Sequence, residues 1–137
     1  QQFEGDGLKV SREYIYKGET LSQKSLLHVG DRLTVRLTFR TDRDMDFVSL
    51  KDERAACMEP VQQLSGYVWK DGLGYYQAPE DAATSFFIDH LRKGSYVIEY
   101  EVYVDRAGTY QAGTATIQSA YAPEFGSHTE GRSLQVE

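Results

Sequence analysis

Residues 95–106 read SYVIEYEVYVDR, and their strict alternation admits one conformation. Laid out as an extended strand, Tyr96, Ile98, Tyr100, Val102 and Val104 point one way, while Val97, Glu99, Glu101, Tyr103 and Asp105 point the other. One face is apolar and the other largely acidic, the pattern of a half-buried strand. At about 3.3 Å per residue, such a run extends roughly 40 Å and is expected to cross the whole domain.

A second run, Arg32–Thr41 (RLTVRLTFRT), alternates in the same way: Leu33, Val35, Leu37 and Phe39 against Arg32, Thr34, Arg36, Thr38 and Arg40. Its polar face is basic where that of 95–106 is acidic. If the two strands are neighbours they form favourable cross-strand pairs, with Arg36 and Glu101 as the pair to test. Exposed cross-strand pairs of this kind contribute about 0.2–1 kcal/mol.

Outward from these two, residues 5–17 set Leu8, Val10, Arg12, Tyr14 and Tyr16 against Lys9, Ser11, Glu13 and Ile15, a first strand with imperfect alternation. A polar stretch, 17–30, leads into the second run. Residues 42–46 form a charged turn before a short strand at 47–51, and 52–66, aperiodic and holding Pro60, reads as a loop crossing between sheets. Residues 67–69 and 74–77 are expected to form a hairpin about Lys70-Asp71-Gly72, with Asp-Gly supplying the turn. Residues 84–90 are another strand, and 91–94 turn the chain into 95–106. The fold class is all-β: an antiparallel β-sandwich of about seven to nine strands, without an amphipathic helix. It fits a single domain over 1–137, with 1–7 as a linker-like lead-in.

The bulk properties agree. A chain of 137 residues can bury its own core. The net charge of −6, without a Lys/Arg cluster, argues against nucleic acid and anionic membrane as partners. No apolar run is long enough to span a bilayer, so direct membrane insertion is not expected. Ten tyrosines suit strands, and the absence of Asn removes any N-glycosylation acceptor. The single cysteine excludes an internal disulfide. The start at Gln1 rather than Met reads as a processed protein or a piece of a longer one.

Four constellations invite chemistry. Asp42, Asp44, Asp46 and Glu53 sit at positions 1, 3, 5 and 12 of a calcium-type loop, but Phe47 takes the position that needs Gly, so a solvated turn is expected. Ser85, Asp89 and His90 are triad residue types on one strand, where neighbours face opposite ways and no oxyanion motif accompanies them; His28 and His128 stand alone. Neither catalysis, a metal nor a cofactor is expected. Cys57 is followed three residues later by Pro60, so it cannot form a thioester there and should stay a free thiol. Tyr67, Trp69, Tyr75 and Tyr76 could close the core or stack on a sugar ring or peptide, and the former is the commoner use of aromatics in a sandwich.

Several segments together resemble the C-terminal domain of bacterial α2-macroglobulin-like proteins. GDGLKVSREYIYKG and HVGDRLTVRLTFRTDRDMDFVSLKDE are similar to that family's opening strands. AACMEPV stands at its PAGxEPV-like loop, and SFFIDHLRKGSYVIEYEVYVDRAGTYQAGTATIQSAYAPEFG is similar to its later strands and M-Y-x-P-E motif. The resemblance implies a macroglobulin, receptor-binding-domain-like sandwich, placed last in a large protease-trapping protein of the Gram-negative periplasm or cell surface, commonly lipid-anchored. Its partners would be the other domains of the parent and, through the parent, trapped proteases. Where relatives carry a thioester in another domain, the M-Y pair helps to shield it. Tyr121 matches that Tyr, and Pro123 and Glu124 match the Pro-Glu, whereas Ala120 stands in place of Met and GTATI in place of a Pro-Ala stretch. The resemblance marks Ala120, Tyr121, Pro123 and Glu124 as interdomain or thioester-shielding candidates. Tyr121 could equally plug the end of the sandwich. The alternative function is a stand-alone adhesive or glycan-binding sandwich using Trp69 and its neighbours.

Overall fold

In the computed structural model, which describes residues 7–137, the two alternating runs lie side by side at the centre of one sheet. The strands in chain order are β1 (Leu8–Tyr16), β2 (Glu19–Thr20), β3 (Leu26–Leu27), β4 (Arg32–Thr41), β5 (Met45–Glu53), β6 (Met58–Pro60), β7 (Gly66–Lys70), β8 (Leu73–Pro79), β9 (Ala83–Leu91), β10 (Gly94–Val104), β11 (Gly108–Ala112), β12 (Ala115–Ser119), β13 (Ser127–His128) and β14 (Arg132–Val136). A single 3-10 turn, Pro123–Phe125, falls between β12 and β13. These fourteen segments exceed the seven to nine read from the sequence partly because four of them have only two or three residues, too short for alternation to register.

One sheet runs β2-β1-β4-β10-β6 and the other β13-β12-β5-β9-β8-β7, with a small third sheet, β11-β14-β3, beside them. All pairings are antiparallel except β14 with β3. Leu33, Val35, Leu37 and Phe39 of β4 and Ile98, Val102 and Val104 of β10 are at most 2% exposed. They pack in one core with Val48 and Leu50 of β5, Phe86 and Ile88 of β9 and Ile117 of β12. Each such side chain contributes about 1.5–3 kcal/mol by leaving water.

The hypothesised pairing of the basic and acidic strands is present, two residues away from the register of the test pair. Arg36 lies opposite Glu99, not Glu101. Its Nε donates to Glu99 Oε2 at 2.6 Å, while Glu101 is 3.8 Å from Arg32. Strand β10 stops at Val104, short of Arg106, although Asp105 N still donates to Cys57 O at 2.8 Å, one further step in the β10–β6 register.

The crossing loop leaves β5 in one sheet and inserts β6 against β10 in the other before returning to β7. Pro60 sits there on an edge strand, where its missing N–H leaves no gap in the ladder. The β7–β8 hairpin closes through Asp71 and Gly72, both left-handed (φ 54° and 77°), the geometry of a two-residue turn matched to strand twist. The linker-like lead-in lies outside the described residues except for Gly7, which is buried. A Cβ there would come within 2.5 Å of Phe125 Cβ, so Gly7 belongs to the domain.

Strand β5 is longer than expected and takes in Asp52 and Glu53. Asp52 faces inward in step with Val48 and Leu50, and from the opposite sheet Arg12 does the same in step with Leu8, Val10 and Tyr14. Between the sheets, Arg12 Nη1 donates to Asp52 Oδ1 at 2.6 Å and Nη2 to Gly113 O at 2.6 Å, and the Tyr100 hydroxyl donates to Asp52 Oδ2. Burial pushes the Asp52 carboxyl up, against the opposing pull of Arg12 and Tyr100. It also holds the Tyr14 and Tyr100 hydroxyls well above the ordinary phenol range. Arg54 completes this polar layer, donating from Nη1 to Thr84 Oγ1 at 2.7 Å.

Candidate functional site

The residues singled out at 120–124 follow β12, whose Ile117 and Ser119 point into the core. Ser119 is 2% exposed. Its hydroxyl donates to Asp46 O at 3.2 Å and accepts from Tyr121 N at 3.3 Å, tying the start of the loop to β5. Ala120 N donates to Phe47 O at 3.0 Å. Pro123 then opens the 3-10 turn, where its fixed φ suits the first position and its lost N–H is not needed. The turn closes through Phe125 N to Ala122 O at 3.0 Å and Gly126 N to Pro123 O at 3.1 Å.

Two aromatic rings hold this loop. Phe125 lies beneath the Arg43 guanidinium, 4.3 Å from ring centre to Cζ, and covers Gly7. Tyr121 stands against Phe47, centroids 5.6 Å apart and planes at 72°. Tyr121 is 76% exposed and therefore does not plug the sandwich. Phe47 is 48% exposed and adopts φ +55°, a conformation rare for a bulky side chain. Ala120, Pro123 and Glu124 are exposed as well, so the four candidates form one outward-facing loop.

Among the described residues, the other exposed aromatics lie on β7 and β9 of the six-stranded sheet. Across β7, β8 and β9, Tyr67 lies opposite Tyr76, Tyr76 opposite Phe87, and Trp69 opposite Gly74. Tyr67, Trp69 and Phe87 are 85%, 76% and 45% exposed. Of the four aromatics expected to close the core, only Tyr75 is buried. β8 turns its neighbour Tyr76 to the other face, and an edge hairpin has no second sheet above Tyr67 and Trp69. The outer face of the five-stranded sheet instead carries Arg32, Arg36, Glu99 and Glu101.

The other constellations separate into local contacts. Asp42 holds Arg43, and that hydrogen bond lowers its carboxyl. Asp44 accepts from Lys93 N, Asp46 contacts His90 and Glu53 accepts from Thr114 N. No group of three potential ligands gathers to hold a metal among the described residues. Ser85 donates to Glu80 Oε1 at 3.2 Å, while His90 Nδ1 lies 2.7 Å from Asp46 Oδ1, so Ser85 and His90 engage different carboxylates and neither is Asp89. His28 is 4.0 Å from Asp31, and His128 is exposed on β13. Cys57 is a free, fully buried thiol whose ionisation burial pushes up.

Phe47, Ser119 and Phe125 escaped the sequence reading. The signal available for Phe125 was an isolated apolar residue in a polar run; for Phe47 there was none, since its role depends on which face the strand presents.

Two layered antiparallel sheets with a ring-buttressed, outward-facing loop define a β-sandwich module. Residues 7–124 match the family model of the bacterial alpha-2-macroglobulin MG10 domain, and the chain belongs to that family. No curated protein matches it. Among solved structures, a mutant of Salmonella alpha-2-macroglobulin is similar with a TM-score of 0.80 at 19% identity, covering 97% of this chain and 9% of that one. Escherichia coli alpha-2-macroglobulin spanning domain MG7 to the C-terminus gives 0.79 at 16% identity, with 98% and 24% covered. The Escherichia coli protein activated by porcine elastase gives 0.80 at 20% identity, with 95% and 13% covered. These likenesses show the fold. The chain spans at most 24% of the length of these three.

Proposed function

We propose that this chain is a non-enzymatic, C-terminal domain of a bacterial α2-macroglobulin-type protease inhibitor, working by packing against other domains of its parent through the 120–124 loop. The supporting observation is Tyr121, displayed to solvent against the Phe47 ring at the end of the segment matched by the family. A large aromatic held out by hydrogen bonds and a ring contact suits a surface that is covered in a larger assembly. A solved relative activated by porcine elastase supports a protease as the parent's target.

In this reading the parent resides in the periplasm or on the surface of a Gram-negative cell, lipid-anchored outside this domain. If it carries a thioester, Tyr121 forms part of the wall that keeps nucleophiles out, and the wall leaves when the trap is sprung. The full-length parent with Tyr121→Ala tests this: basal methylamine incorporation rises above wild type. Unchanged incorporation in a parent that carries a thioester removes the shielding role.

A further inference from the structure

We propose that the groove over β7, β8 and β9 is a saccharide-binding site, with Trp69 as the stacking platform and Asp89 and Arg92 as the hydroxyl-binding groups. This goes beyond the docking role of the 120–124 loop and does not rest on it. The groove is open to solvent, has a volume of about 880 Å³ and is lined by Tyr67, Trp69, Tyr76, Phe87, Asp89 and Arg92 among others. Its volume falls in the range of small-molecule sites, roughly 300–1,000 Å³.

The platform is built by a glycine. Gly74 lies directly opposite Trp69, and a Cβ on it would meet indole Cε3 at 2.8 Å and Cζ3 at 3.0 Å. The indole therefore rests on bare backbone, and with 76% of the residue exposed much of its surface remains open to solvent. Tyr67 and Tyr76, edge to face at 4.9 Å, stand beside it.

The polar groups identify the occupant. Asp89 and Arg92 line the groove, are exposed, and make no side-chain hydrogen bond or ion pair with any described residue. Tyr96 OH donates to Arg92 O at 2.8 Å, which fixes the backbone from which Arg92 reaches. His90, held through Nδ1 by Asp46, keeps its other ring nitrogen available. An apolar protein segment laid here would take a carboxylate and a guanidinium out of water without giving either a partner. A pyranose avoids that conflict. Its C–H face lies on the aromatic ring, and its equatorial hydroxyls both donate to a carboxylate and accept from a guanidinium.

The chain's one tryptophan is Trp69, so its fluorescence reports on the site. Titration with the β-1,4-linked tetrasaccharides of glucose and of N-acetylglucosamine should give a saturable shift in emission for at least one of them. Asp89→Asn and Arg92→Ala should each raise Kd by roughly tenfold or more with unchanged thermal midpoint. Gly74→Val, which displaces the indole, should abolish the response. The proposal is overturned if neither sugar gives a saturable response up to about 10 mM, or if Asp89→Asn and Arg92→Ala bind as wild type. It is equally overturned if the sugars fail and light scattering shows self-association that Trp69→Ala removes, since the face is then a protein contact.

Discussion

Arg12 and Asp52 meet inside the sandwich, Nη1 to Oδ1 at 2.6 Å, with their side chains 2% and 1% exposed. They come from different sheets, so this contact clamps the two layers together. Both carboxylate oxygens are used, one by Arg12 and one by Tyr100, and the second Arg12 nitrogen is taken by Gly113 O. A buried pair satisfied in this way gains little over an apolar pair, but removing one member strands the other.

Asp52→Ala should therefore destabilise the domain by about 3–5 kcal/mol, since Arg12 keeps its buried charge without a counter-charge. The double variant Arg12→Met/Asp52→Leu should recover most of that loss. Urea unfolding of the wild type, the single variants and the double variant measures both quantities.

Tyr14 and Tyr100 should make the fold sensitive to alkali. Their hydroxyls are held above the ordinary phenol value chiefly by burial, with the Asp52 carboxylate adding to it. A group whose folded pKa is raised contributes stability that is fully present below its unfolded value, about 10, and is lost as pH rises toward the folded value. Stability should thus fall above about pH 10, and less steeply in Tyr14→Phe. Ultraviolet titration of the phenolates should show these two tyrosines ionising only with unfolding.

Phe47 sits at φ +55°, where a Cβ is strained and glycine is not. Phe47→Gly should consequently be more stable than Phe47→Ala by about 1 kcal/mol, reversing the usual order for a strand. Thermal unfolding of the two variants decides it, and the usual order would remove strain from the account of this position.

On the outer face of the five-stranded sheet, Arg36 and Glu99 should show a coupling energy of about 0.2–1 kcal/mol in a double-mutant cycle, reduced by added salt. The corresponding cycle with Glu101 should give less, because Glu101 lies nearer Arg32. Equal couplings in the two cycles would contradict the register.

The strands were legible where alternation was long. Arg32–Thr41 is found with the limits read from its pattern, and the Asp71-Gly72 hairpin lies where its turn residues put it. Strand β5 was read short because Asp52 and Glu53 look like turn residues, although Asp52 keeps step with Val48 and Leu50. At the 120–124 loop, the motif marked Tyr121 but not the Phe47 ring beneath it, which comes from a strand more than seventy residues away in the chain.

Local pattern alone determined that this chain is all-β and which residues face inward along its long strands. Each follows from the two-residue period of an extended chain, which is written into neighbouring residues. Tertiary structure decided the partners: Glu99 rather than Glu101 for Arg36, Asp52 for Arg12, Phe47 for Tyr121, and open solvent for Trp69. Register, sheet order and the layer above a residue are set by the packing of distant segments, and no local period carries that information.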